Sequence, residues 1–415
     1  MERKFIPLFF FTLVAPSYAG GLYDTGVESA EALPIKWSLG VDTIYDDNVL
    51  AGGSANEESA LAISPSIGLL YTSESPRTTF GIDGNVGLIH YVDGPDIQDE
   101  DTYSQSRISG NLNHNFDERL KFKSQNYIAN ELEPDYSYGI ASSRSGKESL
   151  SLSTLNALVY RWSERYTTDT GVKYTGNYVD VDVDNNSDRT TIETYNQIRY
   201  QLSKQSVLTT DYRFLSTSAA GNASDSTDQL FLVGIDRQFS QNTVGVFKSG
   251  LQYRDVDQGN NNLVPYLEIA YQAQVNEGFK LGAFARHSAE VHDTVNASNT
   301  GVIEYDDRRA LRFGGTASYS ISPDLSFLSG VDLIFSDFTD GRNLDVLPGI
   351  PADRSDKSET SFTAYMGLSY SFSDFLKANV YYTFADTSSD LKDITGSNSR
   401  EYVRNRISLG LTAEF

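Results

Sequence analysis

The side chains best placed to do chemistry in this sequence are its bases. Lys36, Arg107, Lys121, Lys123, Arg161, Lys173, Arg199, Arg213, Lys248, Lys280, Arg286, Arg308, Arg312, Lys377, Arg404 and Arg406 fall on the parity opposite to the apolar residues of their segments. The acids assigned to that parity are Asp42, Asp83, Asp169, Glu193, Asp211, Asp236, Glu268 and Asp332, so sixteen bases meet eight acids although the chain carries −23 overall. Arg and Lys lining an enclosed surface favour anions, and weak, replaceable sites let an anion enter and leave. The other reading is a set of internally paired charges that no solute meets. Tyr195, Tyr266, Tyr365 and Tyr381 share the inward parity, where their rings can stack on sugar faces or pack against inward loops.

Catalytic chemistry has little to work with. The chain has no cysteine, which excludes a disulfide framework, a thiolate zinc site and a Cys nucleophile. It contains no H-E-x-x-H, Walker loop, G-x-S-x-G or dinucleotide fingerprint. Of the four histidines, His90, His287 and His292 stand near carboxylates beside long polar stretches, and His114 stands beside a short turn. Lone histidines of this kind are ordinarily surface residues, so no catalytic residue and no enzyme is expected. Asp180-x-Asp182-x-Asp184 opens like an EF-hand loop, but Asn185 replaces the required Gly and Thr191 the bidentate Glu. No metal site or cofactor is expected, and the acidic balance argues against nucleic acid as a partner.

The elements that carry these residues read as strands. From Val403 the odd positions are Val403, Asn405, Ile407, Leu409, Leu411, Ala413 and Phe415, against Arg404, Arg406, Ser408, Gly410, Thr412 and Glu414. A period of two gives two-faced strands, and it recurs in Leu368, Tyr370 and Phe372 and in Leu150, Leu152, Leu158 and Tyr160. Seven short turns such as Phe116-Asp117-Glu118-Arg119-Leu120 and Trp162-Ser163-Glu164-Arg165-Tyr166, with an eighth over 72–78, alternate with nine long polar stretches, among them 292–307 and 339–358. Seventeen connections predict an all-β, antiparallel up-and-down barrel of about 18 strands, with short periplasmic turns and long external loops. The first strand can then close against the last. Aromatics near the short turns, including Trp37, Phe116, Trp162, Tyr166, Phe239, Phe279 and Phe375, resemble an interfacial girdle. A soluble secreted β protein is the alternative, but it ordinarily alternates core with solvated polar residues, and these strands expose an apolar side.

Met1-Glu2-Arg3-Lys4, the apolar stretch Phe5 to Ala15 and Ser17-Tyr18-Ala19 read as a signal peptide over 1–19. Residues 20–34 would form a short periplasmic segment and 35–415 the barrel, in the bacterial outer membrane. Lipid and lipopolysaccharide are the expected surroundings. The acidic surplus falls in the long stretches, for example Asp46, Asp47, Glu57 and Glu58, or Asp93, Asp96, Asp99, Glu100 and Asp101, where carboxylates keep loops solvated or bridge to divalent cations.

Trp37-Ser38-Leu39-Gly40-Val41-Asp42-Thr43-Ile44-Tyr45-Asp46-Asp47-Asn48-Val49, followed by Leu61-Ala62-Ile63-Ser64-Pro65-Ser66-Ile67-Gly68-Leu69, resembles the start of the outer-membrane β-barrel porins often encoded beside exopolysaccharide and capsule genes. The resemblance implies export of a surface polysaccharide, with periplasmic export components as partners. It supplies no catalytic residues. Terminal Phe415 resembles the aromatic end that serves as a signal to the barrel-assembly machinery in this class. The expectation is an exporter of acidic exopolysaccharide through a basic lumen. A general or nutrient-uptake porin for small anionic or sugar solutes, and a non-conducting barrel that anchors surface polymer, remain open.

Overall fold

An isolated two-faced strand leaves its N–H and C=O groups unpaired on both edges, so such segments are stable only when each finds neighbours on either side. The computed structural model describes residues 35–49, 51, 57–93, 101–132, 148–179, 188–220, 224–257, 259–290, 295–298, 301–346, 355–391 and 401–415. Within them lie β1 (Ile35–Asp46), β2 (Ala60–Glu74), β3 (Thr78–Asp93), β4 (Thr102–Asn115), β5 (Leu120–Glu131) and β6 (Ser149–Arg161). Next come β7 (Tyr166–Val179), β8 (Arg189–Ser203), β9 (Ser206–Ala219), β10 (Ser226–Ser240), β11 (Thr243–Val256), β12 (Asn262–Asn276) and β13 (Phe279–Glu290). The chain finishes with β14 (Val295–Ser298), β15 (Gly301–Ser320), β16 (Leu325–Val346), β17 (Lys357–Ser373), β18 (Leu376–Ser389) and β19 (Tyr402–Glu414).

Each wall strand pairs antiparallel with its chain neighbours, and β19 pairs with β1 from Ser38↔Glu414 to Asp46↔Arg406. At the seam Trp37 N donates to Phe415 O (3.0 Å) and Phe415 N to Trp37 O (2.7 Å). The sheet is therefore closed and presents no edge to lipid. Four-residue β14 lies against the start of β15, beyond the β13–β15 pairing, so the wall itself has 18 strands.

All eight short turns form where the spacing predicts them, and side-chain acceptors explain their tightness. Asp117 Oδ1 accepts from the N–H groups of Arg119 (2.6 Å) and Leu120 (2.8 Å). Those two bonds hold the Asp117 carboxyl below its ordinary value of 3.8. Ser163, Ser322 and Asn276 do the same in their turns.

Contacts that skip a strand identify the concave side. Arg199 on β8 reaches Asp236 on β10, Lys248 on β11 reaches Asp211 on β9, and Gln252 Nε2 on β11 donates to Ala289 O on β13 (3.0 Å). The convex side carries the exposed apolar residues, with Trp37 and Trp162 52% and 62% exposed at the short-turn end.

Two polar stretches expected to be loops are partly strand. β15 and β16 stay paired out to Gly301↔Val346, past the last pairing of β16 with β17 at Phe338↔Lys357. Beyond the wall neither side of this ribbon meets lipid, so its sequence has no apolar parity to read. Residues 1–34, which hold the signal peptide and the short segment expected over 20–34, lie outside the described residues, as do Asp96, Asp99, Glu100, Asp180, Asp182, Asp184 and His292.

Candidate functional site: an eccentric, charged barrel interior

One half of the interior, from β8 to β15, is filled by an ion-pair belt. Arg199 Nη2 lies 2.5 Å from Asp236 Oδ2, and Asp211 Oδ2 lies 3.1 Å from Lys248 Nζ and 3.4 Å from Arg213 Nη2. Arg213 also approaches Glu193 (3.9 Å). Glu290 gathers three arginines: Arg312 Nη2 at 2.5 Å, Arg286 Nη2 at 2.8 Å and Arg308 Nη1 at 3.9 Å. Arg254 bridges Asp228 (3.2 Å) and Asp307 (4.0 Å). The side chains of Arg199, Lys248, Arg254, Arg308 and Arg312 are each less than a tenth exposed. Charges buried this far need partners within bonding distance, and they show that protein rather than water occupies this part of the interior.

The other half runs through β17, β18 and β19 across the seam to β1 and on to β6, and many of its inward positions near the seam are small. Ser38, Gly40, Ser64, Ser66, Gly68, Gly367, Ser408 and Gly410 leave space that larger side chains occupy opposite. Several longer inward residues here are open: Asp83, Asn85, Gln125 and Tyr381 are exposed, Arg107 is 45% exposed and Lys123 39%. Others are not: Ile44, Ile89 and Tyr103 pack in a buried apolar cluster towards the long-loop end, and Tyr127 is buried. Arg107 holds Glu131 through Nε (2.9 Å) and Nη2 (3.0 Å), and Lys123 lies 3.6 Å from Asp169. Lys36, Arg161 and Lys280, exposed near the short-turn end, and Lys173 deeper in the wall make no ion pair among the described residues.

The sixteen bases therefore share an inner surface but not one environment. The reading of a two-to-one basic wall is corrected by carboxylates at strand ends. Asp46 holds Arg404 through Nε at 2.9 Å, Glu131 holds Arg107, Asp228 holds Arg254, Glu290 holds Arg312, and Glu414 lies 2.6 Å from Lys377 Nζ. Asp46, taken for a loop acid, is the last residue of β1. All five sit on the inward parity of strands already assigned, and following that parity to the strand ends is the signal that finds them.

Three of the four tyrosines lie over a cross-strand glycine: Tyr195 over Gly171, Tyr365 over Gly330 and Tyr381 over Gly367. An aromatic ring over a glycine covers backbone that would otherwise lack packing. Tyr195 also donates to Asp169 Oδ1 (3.0 Å). Tyr266 departs from the stacking expectation, because it is buried against Leu230 and Leu232 and donates to Glu268 Oε2 (2.5 Å).

At the external end the β15–β16 ribbon meets residues at the ends of β10, β11 and β12. Arg342 Nη1 donates to Asp257 O (3.0 Å), its Nη2 to Ser224 Oγ, and its Nε lies 3.7 Å from Asp306. Asp340 accepts from Asn260 (3.2 Å) and Asn262 (3.3 Å), and Ile303, Tyr305, Phe338 and Leu391 pack together beside them. Asp340, at φ 58°, sits just past the last β17 pairing, where the ribbon leaves the wall.

His90 bonds Thr102 Oγ1 (2.8 Å), His114 bonds Thr78 Oγ1 (2.7 Å), and His287 Nδ1–H donates to Pro265 O (2.7 Å). All three stand on the convex parity. Among the described residues no group of three or more His, Asp and Glu is arranged to hold a metal ion.

A closed antiparallel barrel with an apolar outer band and a charged interior defines a transmembrane β-barrel of the bacterial outer-membrane type. No protein-family model matches the chain, and no curated protein matches it. Solved structures with similar barrels include Pseudomonas aeruginosa OccK2 (OpdF) in complex with glucuronate, at TM-score 0.47 and 12% identity over 92% of this chain and 98% of that one. Acinetobacter baumannii OccAB4 has TM-score 0.46 and 13% identity over 93% and 99%, and P. aeruginosa OpdO 0.45 and 14% over 92% and 97%.

Proposed function

We propose that this barrel is an outer-membrane channel for small acidic or polar solutes, serving uptake rather than polymer export. The observation that carries the reading is the buried belt from Arg199 and Asp236 to Glu290 and Arg312, which leaves only the small-residue half of the interior for passage. An open barrel of this strand number would admit a hydrated polymer chain. Half-filled, it suits a small solute better than a hydrated polymer. Arg107, Lys123, Arg161 and Lys36 supply accessible positive charge along that half and its short-turn end, Lys280 on β13 adds one at the short-turn end of the filled half, and Tyr381 offers an exposed ring. Passive passage has no inherent direction, and consumption on the inner side makes the flux inward.

The test is permeation into liposomes holding the refolded barrel, with neutral monosaccharides, sugar acids of the same size and oligosaccharides compared. Sugar acids entering faster than neutral sugars, with oligosaccharides excluded, is the expected result. Oligosaccharides entering as fast as monosaccharides would return the exporter reading, and no permeation of any solute would favour the anchoring barrel.

A further inference from the structure

The convex side of the wall is not uniformly apolar. On β5 to β8 it carries Ser124, Asn126, Thr154, Asn156, Thr170 and Asn196, whereas β10 presents Phe231, Val233 and Ile235 and β12 Leu267 and Ile269. Asn156 stands six residues from Trp162 and Asn196 four from Tyr200, which at strand tilts near 40° is roughly 10–15 Å inside the girdle. Lipid tails offer no hydrogen bond at that depth. Part of the set is satisfied internally: Asn126 donates to Ser124 (2.9 Å) and accepts from Thr154, Asn156 donates to Thr154 (3.2 Å), and Asn196 to Thr170 (2.5 Å). The amide oxygens of Asn156 and Asn196 accept nothing among the described residues.

We propose that this face is where a second copy of the chain docks, through a two-fold interface in the membrane. A two-fold contact brings the same patch to itself and so requires self-complementary chemistry. A carboxamide is both donor and acceptor, and the convex positions of β4 to β9 hold no Lys, Arg, Asp or Glu to repel their own image. Outward Gly110 and Gly176 let the two walls approach closely. The six strands β4 to β9, spaced by about 4.8 Å across a band about 25 Å tall, give about 700 Å² per copy. The total of about 1,400 Å² lies within the range of specific interfaces. A lipopolysaccharide partner would call for basic residues, which this face lacks.

The absence of native cysteine makes the test direct. Full-length chains carrying Asn156→Cys, Asn196→Cys or, on the opposite wall at β16, Val331→Cys are treated in outer membranes with a short thiol-reactive cross-linker. The expected result is a product at twice the chain mass for the Asn variants and none for Val331→Cys. Native mass spectrometry of the wild type should give two copies, falling to one in Asn126→Leu/Asn156→Leu/Asn196→Leu, with a heat-resistant band on gels confirming an intact barrel. A single-copy wild type, equal cross-linking at all three sites, or a cross-linked product of another mass would each overturn the proposal.

Discussion

Arg199 on β8 spans the intervening β9 to place Nη2 2.5 Å from Asp236 Oδ2 on β10, with both side chains less than a tenth exposed. Removing one partner leaves a buried charge without compensation. Asp236→Ala is expected to cost about 3–5 kcal/mol, and replacing both partners by apolar residues of similar volume far less. Denaturant-induced unfolding of the single and double variants in lipid vesicles reads the difference.

The two halves of the interior should respond differently to charge removal. Arg107→Gln with Lys123→Gln, in the open half, is expected to lower anion preference measured as reversal potential under a salt gradient. Arg161→Glu with Lys280→Glu should lower it further, because neither base has an ion-pair partner among the described residues. Arg312→Gln in the belt is expected to perturb stability more than selectivity. A larger selectivity change from Arg312→Gln than from the open-half pair would contradict an eccentric passage.

Asn85 is exposed on the open half. Asn85→Trp adds bulk where solute is expected to pass, so single-channel conductance should drop by half or more while the barrel remains heat-resistant. An unchanged conductance would mean that current runs elsewhere.

Arg342 ties the β15–β16 ribbon to Asp257, Ser224 and Asp306. Arg342→Ala is expected to release those three contacts and raise both mean conductance and its fluctuation in planar bilayers, with little change in global stability, since the ribbon stands outside the wall pairing.

The turn at Asp117 makes a pH prediction. A carboxyl whose folded value is depressed contributes stability above its unfolded value, and that contribution is lost as pH falls through the folded value. The Asp117 carboxyl is held below 3.8, first by the N–H of Arg119 and then by that of Leu120. The gap in thermal stability between the wild type and Asp117→Ala should therefore be full at pH 7 and close below pH 3.8.

The barrel was legible because lipid enforces a strict period of two and turn residues punctuate it. Leu409 and Leu411 face out and Arg404 and Arg406 in, as their parity requires. The pairing of inward charges was not legible, because the partners lie across strands. Arg199 and Asp236 are 37 residues apart, and nothing local links them. Asp46 and Glu131 were hidden by their place at strand ends, where a carboxylate reads as loop. The ribbon of β15 and β16 was hidden for another reason: outside the membrane neither of its sides needs to be apolar.

The filled belt separates two quantities that are easily equated. Backbone closure sets the girth of the cylinder, but its bore is set by the bulk and burial of the inward residues, with Ser and Gly clustered near the seam and buried, ion-paired Arg and Lys on the arc from β8 to β15. Aperture can therefore be widened, narrowed or shifted sideways by substitutions at inward positions alone, without adding a strand or changing register. Two barrels of equal circumference can differ in calibre by as much as their side chains do.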